Sequence, residues 1–301
     1  MGKHMCGHLM DKGHAATVFS RTASKCEPLV ARGANLGSSP RDVAANSDVV
    51  FTIVGSPKDV EAVVLDEDTG VFAGLKPGGN FVDMTTSKPS LAAHLHKVGT
   101  GRGIGVLDAP VSGGDVGAKA GTLSIMCGGD RDTFEAVRPC LEAMGKSIRL
   151  MGPAGSGQHT KMSNQILACN NMVGVCESLL YAQRVGLDPL AVVGAIGSGA
   201  AGSWAMNNLG PKVVARDVAP GFMIEHMVKD LGIAIEESRA LGLKLPGLAV
   251  AERLYSALLD QGHGKDGTQA LVLALELLAR EDPAKEDVTH LAKLFPDVDR
   301  Q

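Results

Sequence analysis

Up to residue 151 the sequence alternates short apolar, β-branched runs with helix-like stretches, and beyond it the strand signals stop. That switch constrains the fold more than any single motif. The first half predicts a doubly wound, Rossmann-type sheet with parallel or mixed strands, and the second half an all-helical body. The domains are accordingly 1–152 and 153–301. Strands are predicted at 15–19, 47–54, 79–83, 103–108, 122–128 and 147–151. The run Val49-Val50-Phe51-Thr52-Ile53-Val54 is apolar without alternation, which fits a strand covered on both faces. Ligands of such sheets sit at the carboxyl ends of the strands. Those ends read Ser20-Arg21-Thr22, Gly55-Ser56-Pro57, Thr85-Thr86 and Ser112-Gly113-Gly114, all small, hydroxylated or glycine-bearing. Each alone is an ordinary turn; four along one edge form a binding rim.

After residue 151, helices are predicted over 189–196, 204–209, 211–216, about 222–241, 246–261 and 268–279, with 292–301 a loose tail. Phe222, His226, Lys229 and Ile233 share one face of their helix. The chemistry is placed on the segment that opens this half, Gly152 to Asn171. Its Gly152, Pro153, Gly155 and Gly157 are turn and helix-entry residues, and no further Gly or Pro follows before Val173. One long helix results. Lys161, Asn164, Gln165 and Ala168 share a face, while Ile166, Leu167 and Val173 lean the other way. One amine with several amides suits an acidic or carbonyl-bearing ligand; the same face is equally consistent with a solvated surface.

A net charge of −4 without any Lys/Arg run argues against a nucleic-acid partner. Six cysteines without a CxxC pair indicate neither a zinc site nor a disulfide framework, and a reducing, cytoplasmic setting follows by default, with organellar targeting left open. His94-x-His96 is the only close histidine pair and lacks a third ligand, so no metal is expected. The uncharged stretch from Leu190 to Pro211 has the length of a membrane span, but its five glycines and its Ser and Asn residues argue against one.

Asp108-Ala-Pro-Val-Ser-Gly-Gly114 with Gly117-Ala118 and Gly121-Thr122-Leu123, then Gly155-x-Gly157-x-x-x-Lys161-x-x-Asn164-Gln165, Asp83-x-Thr85-Thr86 and Lys229-Asp230-Leu231 stand in one order over most of the chain. Together they resemble the β-hydroxyacid dehydrogenase family, which includes 3-hydroxyisobutyrate dehydrogenase, tartronate semialdehyde reductase and glyoxylate/succinic semialdehyde reductase. The resemblance extends from Met1 to about Leu278. It implies a substrate-carboxylate loop at Ser112, Gly113 and Gly114, a catalytic helix carrying Lys161, and substrate contacts from Asn164 and Gln165. It also implies cofactor contacts from Gly2, Arg21, Thr22, Ser56, Thr86, Phe222 and Lys229. The Asn-Gln pair and Gly202-Ser203-Trp204 lean toward the tartronate semialdehyde reductase branch. By the same resemblance, Met1-Gly2 coincide with the end of the Gly-x-Gly-x-x-Gly fingerprint, so the first strand and most of the phosphate loop are expected to lie upstream of this numbering.

Arg21 at the tip of the second strand, with Lys25 close by, favours NADP over NAD, since an acid there would bond a 2′-hydroxyl and an Arg accommodates a 2′-phosphate. Hydride transfer to an aldehyde builds negative charge on its oxygen, which a positioned acid must protonate. Lys161 is the candidate, its pKa lowered by desolvation in a cleft between the domains. Backbone N–H groups at Ser112, Gly113 and Gly114 can approach a carboxylate closely, and the lack of an Arg clamp fits an acid of three or four carbons. The expected protein is a reductase or dehydrogenase of a short β-hydroxy acid or its semialdehyde, working as a homodimer or homotetramer. The competing readings are a non-catalytic binding protein of the same fold and an imine reductase, the latter disfavoured by Lys161. A phosphogluconate dehydrogenase would need a larger helical domain.

Overall fold

The computed structural model describes residues 1–279, and the tail predicted at 292–301 lies outside them. The chain forms two compact units, Met1–Met162 and the residues from Ser163 on.

In the first unit β1 (Thr17–Val18) pairs in parallel with β2 (Asn35–Leu36). Six further strands form one sheet: β3 (Val49–Thr52), β4 (Asn80–Asp83), β5 (Gly105–Asp108), β6 (Val111–Ser112), β7 (Leu123–Gly129) and β8 (Gly145–Gly152). Their order is β3-β4-β5-β7-β6, with β8 on β7. β3, β4 and β5 run parallel, as do β7 and β8, whereas β7 is antiparallel to both β5 and β6. The sheet is therefore mixed. No ladder joins β1 to β3 among the described residues, so β1 and β2 form a two-stranded sheet of their own.

Neighbouring residues of one strand enter different cores, the behaviour of a sheet covered on both faces. Phe81 joins Val50, Val60, Phe72, Leu95 and Val106, while Val82 joins Leu107, Ile125, Leu141 and Met144. Each such side chain contributes roughly 1.5–3 kcal/mol on full burial. Helix entries follow local chemistry. Ser39 and Ser56 each precede a Pro and accept the N–H three residues on, from Asp42 and Asp59. Two short strands went unread in the sequence. β2 has two exposed residues and β6 sits inside a glycine-bearing loop, so neither is long enough to show a period.

In the second unit the described elements are helices, with one isolated bridge between Met223 and Gly267. Ile224, Leu231, Leu248, Leu254, Tyr255 and Leu271 form its buried interior. The helix Ser156–Arg184 opens in the first unit and runs past Val173, through a Gly174 that has open space around it. The helix expected from about residue 222 begins at Ile224, because Met223 is held extended in the bridge. Among the described residues no helix is long and apolar enough to cross a membrane, and Leu190–Pro211 is broken into short helices.

Candidate functional site

Asp108, at the carboxyl end of β5, is buried and faces the start of the long helix. Its Oδ1 accepts from Gly155 N at 2.7 Å and its Oδ2 from Gln158 N at 2.8 Å. A strand thus supplies a cap to the N-terminus of the helix. Burial pushes the Asp108 carboxyl up, and these N–H groups oppose the rise. The seat is too close for side chains: a Cβ on Gly157 would stand 2.4 Å from Met126 O, and one on Gly128 2.6 Å from Asp108 Oδ1. The two glycines are conditions for the approach, not flexible points.

One turn into the helix, Gln158 is fully buried and ties in the loop after β4. Its Nε2 donates to Thr85 O at 2.7 Å and its Oε1 accepts from Ser87 N at 2.9 Å. Asp83 ends β4, opposite Asp108 in the ladder, and accepts from Thr52 Oγ1 at 2.9 Å and Thr85 N at 3.0 Å. Desolvation pushes Asp83 up to about 6 despite the bonds from Thr85 and Thr52, with Asp108 adding a smaller upward push.

Lys161 lies one turn beyond Gln158. It is 5% exposed, and its Nζ donates to Val111 O at 2.9 Å, the residue before Ser112-Gly113-Gly114. Gly113 (φ 123°) and Gly114 (φ 62°) take backbone conformations that other residues rarely adopt. The fold therefore brings the predicted lysine to the predicted glycine loop.

At the tips of β1 and β3, Arg21 pairs with Asp59 at 2.8 Å. Ser56 Oγ donates to Asp59 Oδ2 at 2.7 Å and accepts from Asp59 N at 3.2 Å, a reciprocal cap of the helix Pro57–Leu65. The Ser56 hydroxyl, then Arg21, hold the Asp59 carboxyl below its ordinary range. Thr22 N donates to Ser20 Oγ at 3.3 Å. Gly2 opens the helix Gly2–Asp11, where a Cβ would stand 3.0 Å from Ile53 Cγ2.

In the second unit Asp230 gathers three predicted residues. Gln165 Nε2 donates to Asp230 Oδ2 at 2.6 Å, Asn164 Nδ2 donates to Gln165 Oε1 at 2.8 Å, and Lys229 Nζ is 2.9 Å from Asp230 Oδ1. Phe222 stands with its ring 6.0 Å from that of His226.

A model of the NAD-binding domain of 6-phosphogluconate dehydrogenase matches residues 1–152. A second, described as NAD-binding of NADP-dependent 3-hydroxyisobutyrate dehydrogenase, matches residues 155–275. The chain is 50% identical over 278 residues to a probable 3-hydroxyisobutyrate dehydrogenase-like 1, mitochondrial, of Arabidopsis thaliana, covering 92% of this chain and 83% of the relative. This chain belongs to the β-hydroxyacid dehydrogenase family. It is an oxidoreductase with NAD(P)-binding domains. It is also similar to 2-hydroxy-3-oxopropionate reductase of Escherichia coli, at 38% identity over 93% of this chain and 95% of the relative. Among solved structures it resembles the 3-hydroxyisobutyrate dehydrogenase of Mycobacterium tuberculosis with L-serine, with a TM-score of 0.83, 29% identity, and coverage of 91% and 95%.

Sequence reasoning gave no role to four residues of the enzyme that hold this arrangement: Asp83, Asp108, Gln158 and Asp230. Three of them stood inside the quoted motifs, as acids at the end of a strand or beside a lysine. Gln158 had one usable signal, its place one turn before Lys161 on the same helix.

Proposed function

We propose that the enzyme interconverts a short β-hydroxy acid and its semialdehyde using NADP(H), with Lys161 as general acid and base. The observation that carries this reading is Lys161 Nζ, buried yet 2.9 Å from Val111 O and so beside the Ser112-Gly113-Gly114 loop. The N–H groups of that loop and the Ser112 hydroxyl suit a carboxylate. In reduction Lys161 Nζ gives a proton to the carbonyl oxygen as charge grows there, and in oxidation it takes one from the hydroxyl. The Val111 carbonyl fixes one Nζ–H and with it the position of the ammonium. Asn164 and Gln165 orient the remaining substrate oxygens.

The cofactor fits the donor set present. The helix at Gly2 has no acid in its first turn, and the strand ends carry Ser56 and Thr86, so N–H and hydroxyl donors would be offered to an anionic pyrophosphate. When bound, the nicotinamide supplies or accepts the hydride. Gly2, Arg21, Thr22, Ser56, Thr86, Phe222 and Lys229 would hold it. Arg21 at the β1 tip, although shared with Asp59, supports NADP over NAD. Exposed apolar side chains in the second unit, including Leu167, Tyr181, Trp204 and Leu241, support a homodimer or homotetramer. All six cysteines are free, which suits a reducing setting such as the cytoplasm.

The test is oxidation of NADPH or NADH with tartronate semialdehyde, glyoxylate, succinic semialdehyde and methylmalonate semialdehyde in turn. Turnover of a carboxylated semialdehyde with NADPH is expected. Turnover confined to imines, or to NADH, would overturn the reading.

A further inference from the structure

Amide side chains can be turned by 180° without changing shape, so the donor and acceptor they offer a ligand depend on what pins them. In the second unit the pin is Asp230, which is fully buried with Lys229 Nζ 2.9 Å from its Oδ1, an ion pair without hydrogen-bond alignment. A carboxylate beside an ammonium only accepts. Gln165 must then present its Nε2 to Asp230 Oδ2, at 2.6 Å, which turns its Oε1 toward Asn164 Nδ2, at 2.8 Å. The polarity of Asn164 is set in turn, and Oδ1 is its remaining acceptor.

We infer that Asp230 is a positioning residue that acts through Gln165 to hold Asn164 as an acceptor, giving the enzyme a preference for substrates with an O–H or N–H donor on C2. This rests on the role proposed for Lys161. Asn164 lies three residues after Lys161 on one helix and on the same face, with Cβ atoms about 5–6 Å apart, so the two side chains can converge on the neighbouring C3 and C2 substituents of one substrate. The named relatives differ at that carbon. 3-Hydroxyisobutyrate carries a methyl on C2, 2-hydroxy-3-oxopropionate a hydroxyl, and serine an ammonium. A methyl leaves Asn164 Oδ1 without a partner, which corresponds to a preference for the donor-bearing substrate of roughly ten- to a hundredfold.

The experiment compares kcat/KM for 2-hydroxy-3-oxopropionate and its 2-methyl analogue in the wild type, Asp230→Asn and the double variant Asp230→Asn/Gln165→Glu. In Asp230→Asn the amide at 230 can meet either end of Gln165, so Asn164 is released and the hydroxyl-to-methyl ratio falls about tenfold. In the double variant the carboxylate introduced at position 165 again only accepts, from the amide introduced at position 230 on one side and from Asn164 Nδ2 on the other. The ratio then returns to within about threefold of wild type. An unchanged ratio in Asp230→Asn, or no recovery in a folded double variant, overturns the relay. Gln165→Met breaks the relay without touching Asp230 and should give the same loss if Asp230→Asn does not fold. The side-chain amide NMR signal of Asn164 gives a readout without turnover. It should shift in Asp230→Asn and return in the double variant, and a signal that stays in place overturns the proposal. A wild type that reduces neither substrate while these shifts occur overturns the substrate reading instead.

Discussion

Around the carboxyl end of β5 the polar groups of Asp108, Gln158 and Lys161 are 3%, 0% and 5% exposed, and each has a partner in the protein. At the tip of β1, by contrast, the Arg21 side chain is 78% exposed and its one ion pair, to Asp59, faces water. Both regions are strand ends that the sequence marks as part of a binding rim, β1 in the two-stranded sheet and β5 in the six-stranded one. Buried polar groups gain from a low local dielectric and lose heavily when a partner is removed, while exposed charges are screened and tune binding by small amounts. The first region should therefore fail sharply under substitution, and the second should only shift preference.

The sharpest break is Lys161→Ala. If Lys161 moves the proton, kcat should drop by roughly 10²–10⁴ with NADPH affinity unchanged, because the lost contact belongs to the transition state. Steady-state kinetics and fluorescence titration of NADPH check both parts, and a variant keeping a tenth of wild-type kcat would remove Lys161 from the reaction. Asp108→Ala should come next. It leaves the N–H groups of Gly155 and Gln158 unpaired in a buried site, a loss of about 4 kcal/mol, counting about 2 for each. Urea unfolding measures the loss, and a change below about 1 kcal/mol would show that water replaces the carboxylate.

The same contrast explains what could be read from the sequence. The glycines and hydroxylated strand ends were legible because turn chemistry is local, and the switch from alternating elements to helices marked the change of fold after residue 151. The support beneath Lys161 was not. Hydrophobic pattern places polar residues outside, yet on the helix Ser156–Arg184 it is Lys161 and Gln165 that are buried and Leu167 that is 64% exposed. The partners that make this burial tolerable, Val111 O and Asp230, are 50 and 65 residues away in the chain. A two-residue strand such as β6, which delivers Val111, carries no period to announce itself.

A smaller effect separates the buried acids by pH. Asp83 is pushed up to about 6 from the ordinary 3.8, so the folded enzyme keeps a proton that the unfolded chain has already released. Below the ordinary value both states hold the proton and folding is unaffected. As pH rises from about 4 to about 6 the unfolded state is progressively favoured, and above about 6 the cost is complete at roughly 3 kcal/mol. Asp83→Asn removes this dependence, so relative to wild type the variant should gain stability between about pH 4 and pH 7. Urea midpoints across that range test it, and parallel curves for the two proteins would place the titration elsewhere.

The smallest effect is expected where water screens the charge. Arg21→Asp places a carboxylate at the tip of β1, close to Asp59, and should weaken NADPH more than NADH by about tenfold. The 2′-phosphate then meets two acids in place of a guanidinium, whereas a 2′-hydroxyl can donate to the new carboxylate. Arg21 is already engaged by Asp59, so a bound phosphate must share the guanidinium, which limits the gain in the wild type. Salt provides the control that the buried region lacks. At high ionic strength the Debye length falls to about 3 Å, and the difference between the two nucleotides should shrink toward about twofold, while the loss in Lys161→Ala stays unchanged. Fluorescence titrations of both nucleotides at low and high salt measure this. Equal weakening of NADPH and NADH would mean that Arg21 serves only to steady the cap at Ser56 and Asp59.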